Sequence, residues 1–185
     1  VSDMGAMFNG AQSFNQDLSK WDVSRVTDMG AMLNGAKSFN QDLSKWDVSR
    51  VTNMRATFAH TRAFNQDLSK WDVSRVSDMG AIFAHAYSFN QDLSNWDVSL
   101  VTDMSDMFSG ASALSDGNKC AIHTSWSSNE NWPYDWSEIC NSLLELCPPT
   151  NLVVGDGQSE NILTWSAPGN CEDSCSVFTV FFNWE

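Results

Sequence analysis

One stretch recurs almost unchanged along most of this chain: Phe39-Asn-Gln-Asp-Leu-Ser-Lys-Trp-Asp-Val-Ser-Arg-Val-Thr-Asn-Met54. Trp21, Trp46, Trp71 and Trp96 fall 25 residues apart, and Phe14, Phe39, Phe64 and Phe89 keep the same spacing. A period of this size marks an array in which each unit buries its apolar face against its neighbours. Units run over 1–25, 26–50, 51–75 and 76–100, and a fifth opens at Val101. The fifth breaks at Leu114, which stands where the others have Phe, and Ser115-Asp116-Gly117 replaces Asn-Gln-Asp.

Within the unit that opens at Val26, the apolar positions are Val26, Met29, Met32, Leu33, Ala36, Phe39, Leu43, Trp46 and Val48. They predict one short helix and one strand. Thr27 has the chemistry of an N-cap, and Asp28 suits the positive end of a helix. Met29, Met32 and Leu33 follow at the i, i+3, i+4 spacing of one helix face, and Gly35 supplies a stop. Leu43 to Val48 reads as the strand, in which Trp46 and Val48 lie two apart and so share one side. Stacked units would lay those strands side by side as a parallel sheet.

This plan resembles the leucine-rich repeat. The fuller consensus F-N-Q-D-L-S-x-W-D-V-S-x-V-T-D-M-x-x-M-F, carried over residues 1 to about 114, resembles the repeats of BspA-like surface proteins, a domain of unknown function common in mycoplasmas and marine microbes. The resemblance implies a right-handed α/β solenoid over 1–117, a surface or secreted setting, and no catalytic residues. Val1 opens in phase with a repeat and leaves an apolar face uncovered, so the reading expects further repeats or a cap before it.

Residues 118–147 are expected to cap the array. Trp126, Trp132, Tyr134 and Trp136 bring large aromatics to a segment with turn chemistry at Trp132-Pro133, and Trp136 to Leu146 suits a short helix. The run from Leu114 through Cys120 to Trp136 also resembles the segment that follows these repeats in BspA-like proteins. All five cysteines, Cys120, Cys140, Cys147, Cys171 and Cys175, lie after the repeats. That clustering favours disulfides in an oxidising compartment, with Cys120 to Cys140 the preferred staple of the cap and one cysteine left over. Zinc-ribbon spacings are absent.

After Cys147-Pro148-Pro149, a linker, residues 148–185 read as β-structure, with strands in Asn151–Val154, Asn161–Trp165 and Val177–Trp184. Pro149-Thr-Asn-Leu-Val-Val154 and Leu163-Thr-Trp-Ser-Ala-Pro168 resemble the opening strands of a fibronectin type III domain. That likeness implies the start of a β-sandwich. Phe178, Val180, Phe182 and Trp184 fall on one face of the last strand, with Val177 and Phe181 on the other. Such a strand needs cover on both sides, so these residues are assembly candidates, completed by more of the same chain or by another copy.

Formal net charge is −13; residues 1–117 carry 14 acids and 9 bases, a balance of −5, and residues 118–185 carry 9 acids and 1 base, a balance of −8. An acidic surface disfavours nucleic acid and anionic lipid. No apolar run is long enough to span a membrane. The stacked Asn15, Asn40, Asn65 and Asn90 are read as structural, bonding loop backbone, with a glycan- or ion-binding ladder as the alternative. Asp22, Asp47, Asp72 and Asp97 form one carboxylate column, and Asp17, Asp42, Asp67 and Asp92 a second. Calcium is the ion these columns would suit, but the lysines and arginines that repeat in the same phase also offset them. No cofactor is otherwise expected. His60 and His85 stand where other units have Gly10, Gly35 and Gly110, and a two-histidine metal site is the sharper reading beside that of solvated helix ends.

No nucleophile elbow, zinc-protease, P-loop or dinucleotide pattern occurs. The sequence therefore predicts a non-catalytic extracellular structural protein, a building block of a filament, appendage or surface layer. The alternative is a cell-surface adhesin-like module that binds a protein or glycan. The positions that differ most between units cluster at Met32-Leu33, Thr57-Phe58 and Ile82-Phe83, and then at Asn34-Gly35, Ala59-His60 and Ala84-His85, where a partner would dock.

Overall fold

The computed structural model describes residues 1–146 and three short strands further on, β1 (Val153–Val154), β2 (Asn161–Thr164) and β3 (Thr179–Phe182). Two compact units divide the chain, Val1–Asp135 and Trp136–Glu185.

In the first unit the 25-residue segments stack in register, but neither the expected strand nor the expected helix forms. Met29, Ala31, Leu33 and Gly35 donate their N–H groups to the carbonyls of Asn53, Arg55, Thr57 and Ala59 in the next segment, at 2.7–3.0 Å. The residues between them close tight turns instead. Met32 donates to Met29, Asn34 to Ala31 and Ala36 to Leu33, at 2.9–3.2 Å. A helix would send each N–H four residues back within its own segment. Here a left-handed residue at Ala31 (φ 53°) and another at Gly35 (φ 74°) redirect every second amide across to the neighbour. The i, i+3, i+4 pattern of Met29, Met32 and Leu33 therefore comes from a run of overlapping turns. Thr27 is not a cap either: its hydroxyl donates to the Ser2 carbonyl at 3.1 Å.

The Leu43–Val48 strand fails for a related reason. Ser44 and Ser49 donate their N–H groups to the Asp42 and Asp47 carboxylates at 2.8 and 3.1 Å, and Trp46 donates to the Leu43 carbonyl at 3.0 Å. With those groups engaged in local turns, no ladder runs to the neighbours. Strand-like pairing between segments is confined to isolated parallel bridges through Asp3, Asp28, Asn53, Asp78 and Asp103. The α/β solenoid of the leucine-rich-repeat kind is thus corrected to a stack of turns: among the described residues no helix precedes Asp116.

The core of this stack is a set of aromatic files. Phe14, Phe39, Phe64 and Phe89 lie nearly parallel with ring centroids 5.8–6.3 Å apart, and Trp46, Trp71 and Trp96 repeat the pattern at 6.3 and 6.4 Å. These offsets fall in the favourable range for stacked rings. Phe58, Phe83 and Phe108 make a third file. Leu43, Trp46 and Val48 are all buried, as are Met29, Met32, Leu33 and Ala36, so the apolar positions of the period are the core even though their local structure differs from expectation.

Helix α1 (Asp116–Trp126) ends the stack, with the Ser115 side chain accepting from the Asn118 N–H at its start. Trp126 stacks on Trp96 at 6.3 Å and on Phe108 at 6.3 Å, continuing two files at once. It is buried, yet its indole N–H has no partner among the described residues. The Tyr134 hydroxyl accepts the Phe108 N–H at 2.9 Å, which meets an amide that would otherwise reach for a further segment. Burial raises the pKa of that hydroxyl above the ordinary tyrosine value.

In the second unit, helix α2 covers Ser137–Leu146. β2 pairs antiparallel with β1 and with β3, in the order β1-β2-β3. This is one small antiparallel group. The two packed sheets of the expected fibronectin-like sandwich are not formed among the described residues. Of the assembly candidates, Val180, Phe181 and Phe182 lie on β3, whereas Val177, Phe178 and Trp184, with Cys147, Cys171 and Cys175, fall outside the described residues.

Candidate functional site

The residues that repeat most faithfully hydrogen-bond one another. Asn40 Oδ1 accepts from the Asn65 N–H and from Gln66 Nε2, both at 2.9 Å, and Asn65 Oδ1 does the same for Asn90 and Gln91 at 2.8 and 2.7 Å. Asn15 begins the ladder. Asn90 hands it to the cap, accepting from the Ser115 N–H and from Asn118 Nδ2 at 2.9 Å. Each Trp joins two segments. The indole N–H groups of Trp46, Trp71 and Trp96 donate to the carbonyls of Leu18, Leu43 and Leu68 at 2.9–3.0 Å. Trp21 differs, at 38% exposed against 5% for Trp46.

Both carboxylate columns bond serines of their own turns. Asp47 accepts from the Ser49 hydroxyl at 2.6 Å and from its N–H, and these bonds hold its carboxyl below the usual range, the hydroxyl contributing most. Asp22, Asp97, Asp17 and Asp42 are lowered in the same way, and Asp67 is lowered with the Ser69 N–H contributing most. Among the described residues no group of three or more His, Cys, Asp or Glu side chains is arranged to hold a metal ion.

The third column, through Asp3, Asp28, Asn53, Asp78 and Asp103, escapes the sequence reading. It is neutralised from within: Asn53 Nδ2 donates to both carboxylate oxygens of Asp28 at 3.1 and 3.0 Å. Arg55 crosses Gly80 to reach Asp103 at 2.7 Å and Asp78 at 3.6 Å. A Cβ at Gly80 would stand 2.3 Å from the guanidinium, so glycine leaves the passage open.

One corner departs from this uniformity. His60 and His85 occupy the left-handed position held elsewhere by glycine, at φ 58° and 56°. Their rings stack with centroids 4.8 Å apart and an interplanar angle of 15°. Imidazole lone pairs lie in the ring plane, and two nearly parallel planes 4.8 Å apart do not aim them at a shared ion, so the two-histidine metal site finds no support. Tyr87 meets His85 edge-on at 6.0 Å, and the Arg62 guanidinium lies 5.4 Å over the Tyr87 ring. Lys37 Nζ donates to Gln12 Oε1 at 3.0 Å. Burial, and then the neighbouring positive charges of His85, Arg62 and Lys37, lower the His60 pKa. The sequence reading found the histidines but missed the column Gln12, Lys37, Arg62 and Tyr87 beside them; aligning every position at the 25-residue period exposes it.

Away from the stack, Cys120 on α1 and Cys140 on α2 are each disulfide-bonded. His123 Nδ1 accepts from the Trp132 indole N–H at 3.1 Å. No helix among the described residues is long and apolar enough to cross a membrane.

The model of the family described as "Mycoplasma protein of unknown function, DUF285" matches residues 1–83 and again residues 44–132. The chain belongs to this family. The overlap of the two DUF285 matches is what an internally repeated chain produces, because the family model fits in more than one register. No curated protein and no solved structure matches the chain.

Proposed function

We propose that this DUF285 protein is a non-catalytic structural component of a cell surface or extracellular assembly, of the BspA-like kind that its consensus resembles. One observation carries the reading. The polar side chains present in every segment, Asn40 and Asn65 with their glutamines, Asp47 with Ser49, and the Trp indoles, hydrogen-bond the stack itself. Chemistry repeated in every segment and engaged in holding segments together is what a scaffold needs. An enzyme would set one constellation apart. The disulfide-bonded Cys120 and Cys140 suit an oxidising, extracellular setting.

Negative-stain electron microscopy of the native material, with and without reductant and calcium chelator, tests this. Regular fibres or a lattice with a constant repeat are expected. Dispersed single particles at high concentration would contradict assembly. A second reading, a surface module that holds a partner, is favoured by a corner where the segments differ and cations gather, at His60, Arg62, His85 and Tyr87.

A further inference from the structure

Resting on that second reading, we infer that the corner formed by Lys37, His60, Arg62, His85 and Tyr87 is a binding strip for a polysaccharide chain that carries oxyanions, carboxylate or sulfate.

The backbone supplies the first argument. The left-handed region favours glycine, and a side chain there carries a steric cost. Gly10, Gly35 and Gly110 meet this requirement without strain, yet two adjacent segments place histidine there. The strain gains a stacked pair of imidazoles at the surface, with His60 exposed. Gly110 makes room for the arrangement, since a Cβ there would come within 2.5 Å of His85 Nδ1.

Charge supplies the second. On a chain of net charge −13, this corner gathers two fixed cations and two histidines. Neither Lys37 nor Arg62 forms an ion pair among the described residues, in contrast to Arg55 and Lys119. Arg62 lies over Tyr87, which is 41% exposed, so a cation and an aromatic edge are presented together. Guanidinium and imidazolium groups hydrogen-bond oxyanions with charge assistance.

Shape supplies the third. The column from Lys37 through Arg62 to Tyr87 climbs one segment at a time and forms a narrow strip. A duplex or a bilayer would bring the acidic remainder of the surface against its own charge. A single flexible polymer can touch the strip alone, and a linear glycan with an oxyanion on successive sugars matches the stacked cations.

The test uses the full chain, with biolayer interferometry against polygalacturonate for carboxylate, heparin for sulfate and dextran as the neutral polymer. Binding to at least one polyanion and not to dextran is expected, weaker with added salt and at least tenfold stronger at pH 5.5 than at pH 7.5. Burial, and after it His85, Arg62 and Lys37, disfavour charging His60, so its response lies at the acidic side of the usual histidine range. The combined variant His60→Gly, His85→Gly, Arg62→Gln restores residue types that other segments carry at these positions. It should match or exceed the unfolding midpoint of the native chain, since glycine suits the left-handed backbone, and lose polyanion binding by at least tenfold. Absence of binding to both polyanions at pH 5.5, equal binding by the variant, or equal binding to dextran would each overturn the proposal.

Discussion

At the scale of single residues, repeated positions have acquired one job each. Asn65 Oδ1 closes two bonds to the next segment, one to a backbone amide and one to Gln91. Asn65→Ala removes both and leaves the Asn90 N–H without its acceptor, a loss expected at about 1–2 kcal/mol in chemical denaturation. The reading of these asparagines as turn ligands was available from sequence, because loop backbone in a stacked array must find partners somewhere. His60 and His85 were visible too, as departures from glycine, but the positive φ that gives them meaning was not. His60→Gly relieves that strain, and a gain of up to about 1 kcal/mol is expected by the same measurement.

At the scale of the element, the apolar positions and the spacing were legible and the conformation was not. Met29, Met32, Leu33 and Ala36 are buried, as an amphipathic helix would bury them. What a sequence pattern cannot separate is a helix from a chain of turns that both return to the same side every third or fourth residue. Ala31 makes the ambiguity worse, since alanine is the best helix former and gives no hint of a left-handed backbone. The Asp-x-Ser turns were partly legible: Asp47 and Ser49 suit a local bond that competes with a strand ladder. These turns set the pH response. Hydrogen bonds from the serines hold the folded carboxyls of Asp17, Asp22, Asp42, Asp47, Asp67, Asp97 and Asp103 below the ordinary aspartate value. Their contribution is therefore complete above that value and is lost as pH falls through the lower, folded values. The urea midpoint should decline slightly below about pH 6.5, where folded His60 resists the proton that the unfolded chain takes up, and drop more steeply below about pH 4. Replacing Ser24 and Ser49 by Ala should shrink the drop, and an unchanged acid slope would count against these bonds.

At the scale of the whole stack, stability passes between neighbours. Trp71 lies between Trp46 and Trp96 and ties its segment to the Leu43 carbonyl. Trp71→Ala is expected to cost about 3–5 kcal/mol and to broaden the unfolding transition as the array divides at the weak segment, which calorimetry would resolve. The cap follows the same rule, with Trp126, Ser115 and Asn118 taking over the file and the ladder where the repeats end. The central claim is that each segment is a run of turns hinged on a left-handed alanine, and substitution of those alanines tests it most directly. In a helix, Ala→Gly at Ala31, Ala56 and Ala81 lowers stability by about 1 kcal/mol per site. At φ 53–55° glycine is the better residue. The account predicts that the triple variant unfolds at a higher denaturant midpoint than the native chain; a lower midpoint would contradict it.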